Sequence, residues 1–192
     1  MSCDGTHGFV QVKIVLRDIE PTIWRRVQMP TDWPLRRLHD VIQMVMGWED
    51  YHLHEFEAGG VLYGQPEIAG KDHTGPPLHS DRDVSLADLL ESGVKRFTYV
   101  YDFGDDWQAD IRLERTLKAP KGTTHPELVA GERCGPPDDS GGPFGYMAKL
   151  DALADPSDPD HGDAVDWLGE SFDPEYLARA IIEKDLARMR VK

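Results

Sequence analysis

The chain has 192 residues, of which 40% are hydrophobic and 29% charged, and its formal net charge is −14. This composition is typical of a folded globular protein and excludes a largely disordered chain. The negative charge disfavours non-specific binding to nucleic acid and to anionic membranes. Only residues 1–50, with six basic against seven acidic residues, are close to neutral, so we expect any anionic partner to dock there.

The cysteine content and the N-terminal sequence bear on the compartment. Cys3 and Cys134 are too few for a disulfide framework or a thiolate zinc site built from one chain. The N-terminus lacks the basic and apolar regions of a secretory signal, and no stretch approaches the ~18 apolar residues of a membrane span. We therefore expect a cytoplasmic protein without a membrane partner.

The first predicted elements are a hairpin and a helix. Apolar residues alternate over residues 9–16 and 23–29, which predicts two paired strands with Arg25 and Arg26 on opposite faces. Apolar residues then recur at helical spacing over residues 35–46. We expect Asp32 to cap this helix and Gly47 to end it.

A second hairpin, a long loop and a further pair of strands follow. Gly59-Gly60 separates two extended runs, and the polar residues 64–83 predict an exposed loop. Ser85 can cap a short helix that Gly93 ends. Alternation over residues 97–101 and 107–117, interrupted by a turn after Tyr101, predicts the strands that complete the sheet.

The C-terminal part changes character. Residues 119–143 are rich in Pro and Gly and predict a long loop, and helices are expected near 144–153, 161–169 and 174–190. The sequence thus predicts an α+β fold with a mixed, mainly antiparallel sheet of two or more hairpins. This sheet packs against a helix of the N-terminal half and is followed by a helical segment, all within a single domain.

Several motifs, in one order along the chain, carry a family resemblance. They are IWRRV at 23–27, LHDVIQ at 38–43, MGW at 46–48, HLHEF at 52–56, YDFGDDW at 101–107, GER at 131–133, PPDD at 136–139, GGP at 141–143 and WLG at 167–169. Together they resemble the plasmid pRiA4b ORF-3-like family over about residues 9–178. The resemblance implies a single α+β domain. Members of this family are mostly uncharacterised; some are carried on plasmids or transposons, where a resolvase-like label is sometimes attached.

The sequence departs from the family pattern at three positions. The family often has His two residues after the Trp of YDFGDDW, where this chain has Ala109. It often has Cys before the Pro-Pro pair and before Gly-Gly, where this chain has Gly135 and Ser140, with Cys134 one place early. A metal site built on those family residues would be incomplete here.

Histidines and aspartates elsewhere suggest a different metal site. His52 and His54 are two residues apart on a predicted strand, so both imidazoles leave one face and could bind one metal. His39 and one of the aspartates Asp102, Asp105 or Asp106 could complete a mixed site for Zn²⁺, Mn²⁺ or Fe²⁺. The alternative is structural, with His39 and His54 hydrogen-bonded to backbone carbonyls and the aspartates capping a turn.

Candidate binding residues lie in the arginine-containing hairpin and beside the acidic motifs. Arg25 and Arg26 next to Trp24 could contact phosphate or a partner's carboxylates, although internal pairing with Asp and Glu is the alternative. In the Pro-rich loop two carboxylates occur together, as the wall of an acidic site would have them. The full set of candidates is Trp24, Arg25, Arg26, Trp48, Trp107, Asp138 and Asp139.

Three functions remain open from the sequence. The leading hypothesis is a non-enzymatic binding module of a mobile-element-associated family, which holds a partner protein or small ligand with its sheet face and its two long loops. One alternative is a metal-dependent hydrolase or nuclease-like enzyme that uses the three histidines and the turn at 102–106. The other is a DNA-binding accessory factor in recombination.

Overall fold

The computed structural model describes residues 8–69, 75–118, 123 and 125–190. Within them, eight strands form one mixed sheet and six helices are present, which confirms the predicted α+β class. In chain order the elements are β1 (Gly8–Leu16), β2 (Trp24–Pro30), α1 (Leu35–Met46), β3 (His54–Ala58), β4 (Val61–Gly64), α2 (Pro66–Ala69), β5 (Leu78–Ser80), α3 (Leu86–Glu91), β6 (Arg96–Tyr101), β7 (Trp107–Lys118), β8 (Glu127–Glu132), α4 (Gly142–Ala154), α5 (His161–Leu168) and α6 (Arg179–Leu186).

The strands follow one another across the sheet in the order β5-β4-β3-β6-β7-β1-β2-β8. All neighbours are antiparallel except β4 and β5, which run parallel. The predicted hairpins are therefore present as β1–β2, β3–β4 and β6–β7. Gly59 and Gly60 form the β3–β4 turn with φ of 62° and 80°, a backbone region that glycine enters without steric cost.

Helix α1 covers the inner face of the sheet with an apolar stripe. Gly47 ends it in the left-handed conformation, as predicted, and its N–H donates to the carbonyl of Gln43. The expected cap by Asp32 is wrong, because Pro34 occupies the N-cap and provides no side-chain acceptor. The first helical N–H groups, of Leu35 and Arg36, donate instead to carbonyls of the 81–84 segment. A tertiary contact thus replaces the local cap.

Both predicted loops contain strands that the sequence did not indicate. Residues 64–83 include α2 and the short strand β5, and residues 119–143 include β8, which pairs with β2. These edge strands form because the neighbouring strand offers unpaired backbone groups. Residues 70–74, 119–122 and 124 of the predicted loops lie outside the described residues.

The C-terminal helices pack against the rest of the fold. Helix α6 contacts α1 and β8 through the buried Ile182 and Leu186. It begins later than predicted, at Arg179, because the N–H of Cys134 binds the carbonyl of Pro174 and holds that segment outside a helix. Of the helices in the described part of the chain, none has the length and apolar character needed to cross a membrane.

Candidate functional site

Histidines and aspartates gather in two separate clusters among the described residues. One consists of His39, Asp50 and His54, and the other of His52, Asp102 and Asp139. His54 is the first residue of β3 and is buried against the core, whereas His52 precedes the strand. Both rings contact buried tyrosines of β6, His52 with Tyr101 and His54 with Tyr99, but the two histidines belong to different clusters. The expectation that they converge on one metal therefore needs correction.

The inner cluster is a chain of hydrogen bonds. His39 Nε2 lies 2.8 Å from Asp50 Oδ1, and His39 Nδ1 lies 2.8 Å from the Tyr99 hydroxyl. A carboxylate only accepts, so Nε2 carries the proton and Nδ1 accepts from Tyr99. The Tyr99 hydroxyl in turn accepts from Gln43 Nε2 at 3.0 Å. Burial lowers the pKa of His39 to about 4, and the hydrogen bond from His39 lowers the pKa of Asp50 to about 2.

Ring stacking argues against a metal in the inner cluster. The imidazoles of His39 and His54 stack with centroids 3.6 Å apart and an interplanar angle of 19°. Imidazole lone pairs lie in the ring plane, so two nearly parallel rings cannot both direct a lone pair at one ion. His54 Nε2 is also 2.8 Å from the buried carboxylate of Asp81. The inner cluster is a structural network, with side-chain partners instead of the backbone carbonyls expected.

The outer cluster leaves a nitrogen without a hydrogen-bond partner. His52 Nε2 lies 3.1 Å from Asp139 Oδ1 and 3.5 Å from Asp102 Oδ2. This nitrogen is buried, and among the described residues it has no partner with hydrogen-bond geometry. Asp102 is almost buried, whereas 71% of the Asp139 side chain is exposed. The cluster is therefore closed on one side and open to solvent on the other.

Local backbone geometry orients the two carboxylates. Asp102, directly after β6, has φ of 57°, and Asp139 has φ of 58°, a region that Asp tolerates better than most residues. The Gly104 N–H donates to Asp102 Oδ1 at 2.9 Å, so Oδ2 is left to face His52. The Asp102 N–H donates to the carbonyl of Leu53, which ties the end of β6 to the segment that carries His52.

Asp138, the chain neighbour of Asp139, is held by hydrogen bonds next to the outer cluster. The Tyr101 hydroxyl donates to Asp138 Oδ1 at 3.1 Å, and the Glu49 N–H donates to Asp138 Oδ2 at 3.0 Å. Burial raises the pKa of Asp138, and the adjacent Asp139 carboxylate adds to the effect. Alternation over residues 97–101 predicted only that Tyr101 lies on a strand, so sequence reasoning did not find its contact with Asp138.

Asp105, predicted as a metal ligand, is placed elsewhere. Its Oδ2 accepts from the Gly141 N–H at 2.9 Å, at the start of α4. A Cβ on Gly142 would lie 2.2 Å from the Asp105 carbonyl oxygen, so the turn and the helix are in close contact there. Asp105 therefore connects the 103–106 turn to α4 and does not face His52.

The arginines predicted as binding residues in the hairpin are bound by other groups of the same chain. Arg25 is 1% exposed, donates to the carbonyls of Val45 and Glu132 at 2.7 Å, and has its pKa lowered by burial to about 10. Arg26 forms a two-point ion pair with Glu114. The tryptophans differ: Trp24 is half-buried beneath Lys13 and Arg26, whereas Trp48 and Trp107 are buried.

A family model described as plasmid pRiA4b ORF-3-like protein matches residues 8–180. The chain belongs to this family. The pRiA4b ORF-3-like chain is also 40% identical over 162 residues to the uncharacterized protein y4hQ of Sinorhizobium fredii (strain NBRC 101917 / NGR234), covering 84% of this chain and 81% of that protein. Its fold matches the crystal structure of MM3350, a protein of unknown function from Methanosarcina mazei Go1. The TM-score is 0.80 at 40% identity, with 91% of this chain and 97% of that chain covered.

Three of the motifs that carry the pRiA4b ORF-3-like resemblance meet at the outer cluster. HLHEF provides His52, YDFGDDW provides Asp102, and PPDD provides Asp139. The departures from the family pattern have structural counterparts. Ala109 is buried opposite Tyr99, and a Cβ on Gly135 would lie 1.8 Å from the Met46 carbonyl oxygen, so no side chain fits there without a backbone shift.

Proposed function

We propose that this protein is a metal-binding module that holds one divalent first-row transition-metal ion between His52, Asp102 and Asp139. The observation that carries the proposal is the buried, unpartnered Nε2 of His52, which faces two carboxylate oxygens. A buried nitrogen without a hydrogen bond requires an explanation, and a bound cation provides one.

The distances suit coordination. Neighbouring atoms bound to one ion at about 2.0–2.1 Å lie roughly 2.8–3.4 Å from one another in octahedral or tetrahedral geometry. The separation of 3.1 Å from His52 Nε2 to Asp139 Oδ1 lies within this range, and that of 3.5 Å to Asp102 Oδ2 is just above it. The three ligand atoms all lie within 4.8 Å of one another. One imidazole with two carboxylates suits Zn²⁺, Mn²⁺ or Fe²⁺.

The electrostatics and the supporting contacts favour a cation. Asp102, Asp138 and Asp139 surround a single imidazole, so the site carries an excess of negative charge. The Gly104 N–H holds the second oxygen of the ligand Asp102, and the Tyr101 hydroxyl holds Asp138, the chain neighbour of the ligand Asp139. Such supporting hydrogen bonds orient metal ligands and strengthen binding.

The surroundings support a role in holding a ligand or partner. Three protein ligands leave coordination positions for water or an incoming group. Tyr51 and Phe103, 70% and 56% exposed, are chain neighbours of His52 and Asp102, as is the exposed Leu53. Exposed apolar side chains beside an open metal position are typical of a binding site. A metal-dependent hydrolase would use the same ion and is distinguished by turnover of a phosphoester or amide substrate.

Elemental analysis tests the proposal. Untagged protein purified without chelator is expected to contain one metal ion per chain, and titration calorimetry of stripped protein with Zn²⁺ and Mn²⁺ should give one site. His52→Ala and Asp139→Asn are expected to lose this binding. His79→Ala, which removes an exposed imidazole on β5, is the matched control and should retain it. Equal metal content in all variants, or no binding by the folded wild-type protein, would overturn the proposal.

A further inference from the structure

The outer face of the sheet carries four cationic side chains in direct register. Arg96 on β6 pairs with Arg112 on β7, Arg112 pairs with Lys13 on β1, and Lys13 pairs with Arg26 on β2. We call these four residues the cationic row. Their chain neighbours, such as Phe97, are buried on the opposite face. Adjacent strands are about 4.8 Å apart, so the row extends for about 14 Å.

The cationic row lowers the stability of the folded sheet, so folding by itself does not explain it. Like charges directly opposite each other destabilise a sheet, and this chain has a net charge of −14 from which to provide partners. Arg26 forms an ion pair with Glu114 at 2.8 Å, and Lys13 interacts with the same carboxylate and lies over the Trp24 ring. Arg96 and Arg112 are exposed, and neither has an ion-pair partner among the described residues. The sheet face therefore presents free guanidinium groups to solvent.

The row borders a shallow groove. Lys13, Arg17, Arg96 and Arg112 line a volume of about 430 Å³. Its one carboxylate, Asp110, is held by Arg17, whose Nε lies 2.9 Å from Asp110 Oδ1. The groove thus keeps an excess of positive charge, on a surface distinct from the His52 cluster.

We propose that the cationic row binds the phosphodiester backbone of a nucleic-acid strand. Guanidinium groups bind phosphate oxygens in a two-point geometry, and Arg96 and Arg112 have this geometry free. A length of about 14 Å is enough to contact more than one phosphate of a strand, since each strand of a duplex carries one phosphate per ~3.4 Å of helix axis. The contact is made to the backbone, so binding is independent of base sequence and strongly dependent on salt. It is confined to this row, because the net charge of −14 disfavours nucleic-acid binding by the rest of the chain. This site is independent of the proposed metal function.

Fluorescence anisotropy with labelled single- and double-stranded DNA of about 20 nucleotides tests this proposal, from about 50 to about 200 mM salt. Arg96→Gln/Arg112→Gln is expected to weaken binding roughly tenfold at low salt and to reduce the slope of log K against log salt by about 1.4–1.8. Arg82→Gln/Arg190→Gln has the same net charge but alters exposed arginines elsewhere, and should bind like the wild type.

Three outcomes would overturn the proposal. They are an absence of binding by the wild type, equal losses in both double variants, or salt-dependent self-association in sedimentation that only the row variant abolishes. The last would assign the row to the acidic surface of a second copy of this chain. His52→Ala should retain DNA binding, so a failure of the metal proposal remains distinguishable.

Discussion

The imidazole of His39 on α1 stacks on that of His54 at the start of β3, with ring centroids 3.6 Å apart. His39 is held neutral between the Asp50 carboxylate and the Tyr99 hydroxyl, and His54 contacts Asp81. This pair connects the helix, two strands and the segment after β5. Because His39, His54, Tyr99 and Asp81 are buried, protonation of the histidines in this network should affect the stability of the fold.

Acidification should destabilise the protein through His39. Burial lowers its pKa from 6.5 to about 4, so between these values the unfolded state binds more protons than the folded state. The contribution of His39 is therefore complete above pH 6.5 and is lost as the pH falls towards 4, by up to about 3 kcal/mol. Urea denaturation at several pH values measures it. In His39→Gln this part of the pH dependence should disappear, whereas His79→Ala should retain it; identical curves for all three proteins would contradict the assignment.

Removing the Tyr99 hydroxyl should destabilise the network. In Tyr99→Phe, Gln43 Nε2 loses its acceptor and His39 Nδ1 loses its donor, both inside the core. We expect a decrease of about 1–3 kcal/mol in the free energy of unfolding, measured by urea denaturation. Tyr176→Phe removes a hydroxyl from a side chain that is 56% exposed and should change stability by less than about 0.5 kcal/mol. Equal effects of the two substitutions would show that the buried hydroxyl contributes nothing specific.

Two glycine-to-alanine substitutions should have opposite effects on the stability of the folded protein. Gly135→Ala places a Cβ 1.8 Å from the Met46 carbonyl oxygen and forces the 134–137 segment away from α1. We expect the free energy of unfolding to decrease by about 3 kcal/mol or more. Gly162→Ala, within α5, meets nothing within 4 Å and should stabilise the helix by up to about 1 kcal/mol. Thermal unfolding measures both, and an unchanged midpoint for Gly135→Ala would refute the tight contact.

Replacing Arg25 by Lys should be destabilising despite the retained charge. The guanidinium donates to the carbonyls of Trp24, Val45 and Glu132, and it lies at the C-terminal end of α1, where a cation is favourable. A lysine cannot donate to all three carbonyls, so we expect the free energy of unfolding to decrease by about 2 kcal/mol. Arg112→Lys, on the exposed outer face, is the control and should be nearly neutral in a denaturation experiment. A neutral Arg25→Lys would show that the three hydrogen bonds of the guanidinium do not contribute to stability.

Local sequence patterns were sufficient for the elements that depend on neighbouring residues. Strand alternation predicted the hairpins, helical spacing predicted α1, and Gly47 and Ser85 marked helix ends that the structure contains. The motifs also indicated the family, which the family model confirms. These features depend on backbone preferences and on the burial of one face of a strand or helix, and short stretches of sequence determine both.

Pairings between distant segments could not be predicted in this way. The strands β5 and β8 exist because β4 and β2 offer free edges, and the cap of α1 comes from residues 81–84. The same holds for the candidate site, because the turns at Asp102 and Asp139 bring their carboxylates to His52 while β3 turns His54 inward. Spacing alone gave His52 and His54 one role, but in the folded protein His52 lies beside Asp102 and Asp139, whereas His54 contacts Asp81.

The sequence by itself determined that this protein is a strongly acidic α+β member of its family, because composition and local periodicity are properties of the chain alone. Only the tertiary structure decided where charge and chemistry gather. The net charge of −14 is an average along the chain, and strand pairing aligned Arg96, Arg112, Lys13 and Arg26 into one cationic row. Electrostatic interactions act across space and not along the sequence, so this surface exists only in the folded protein.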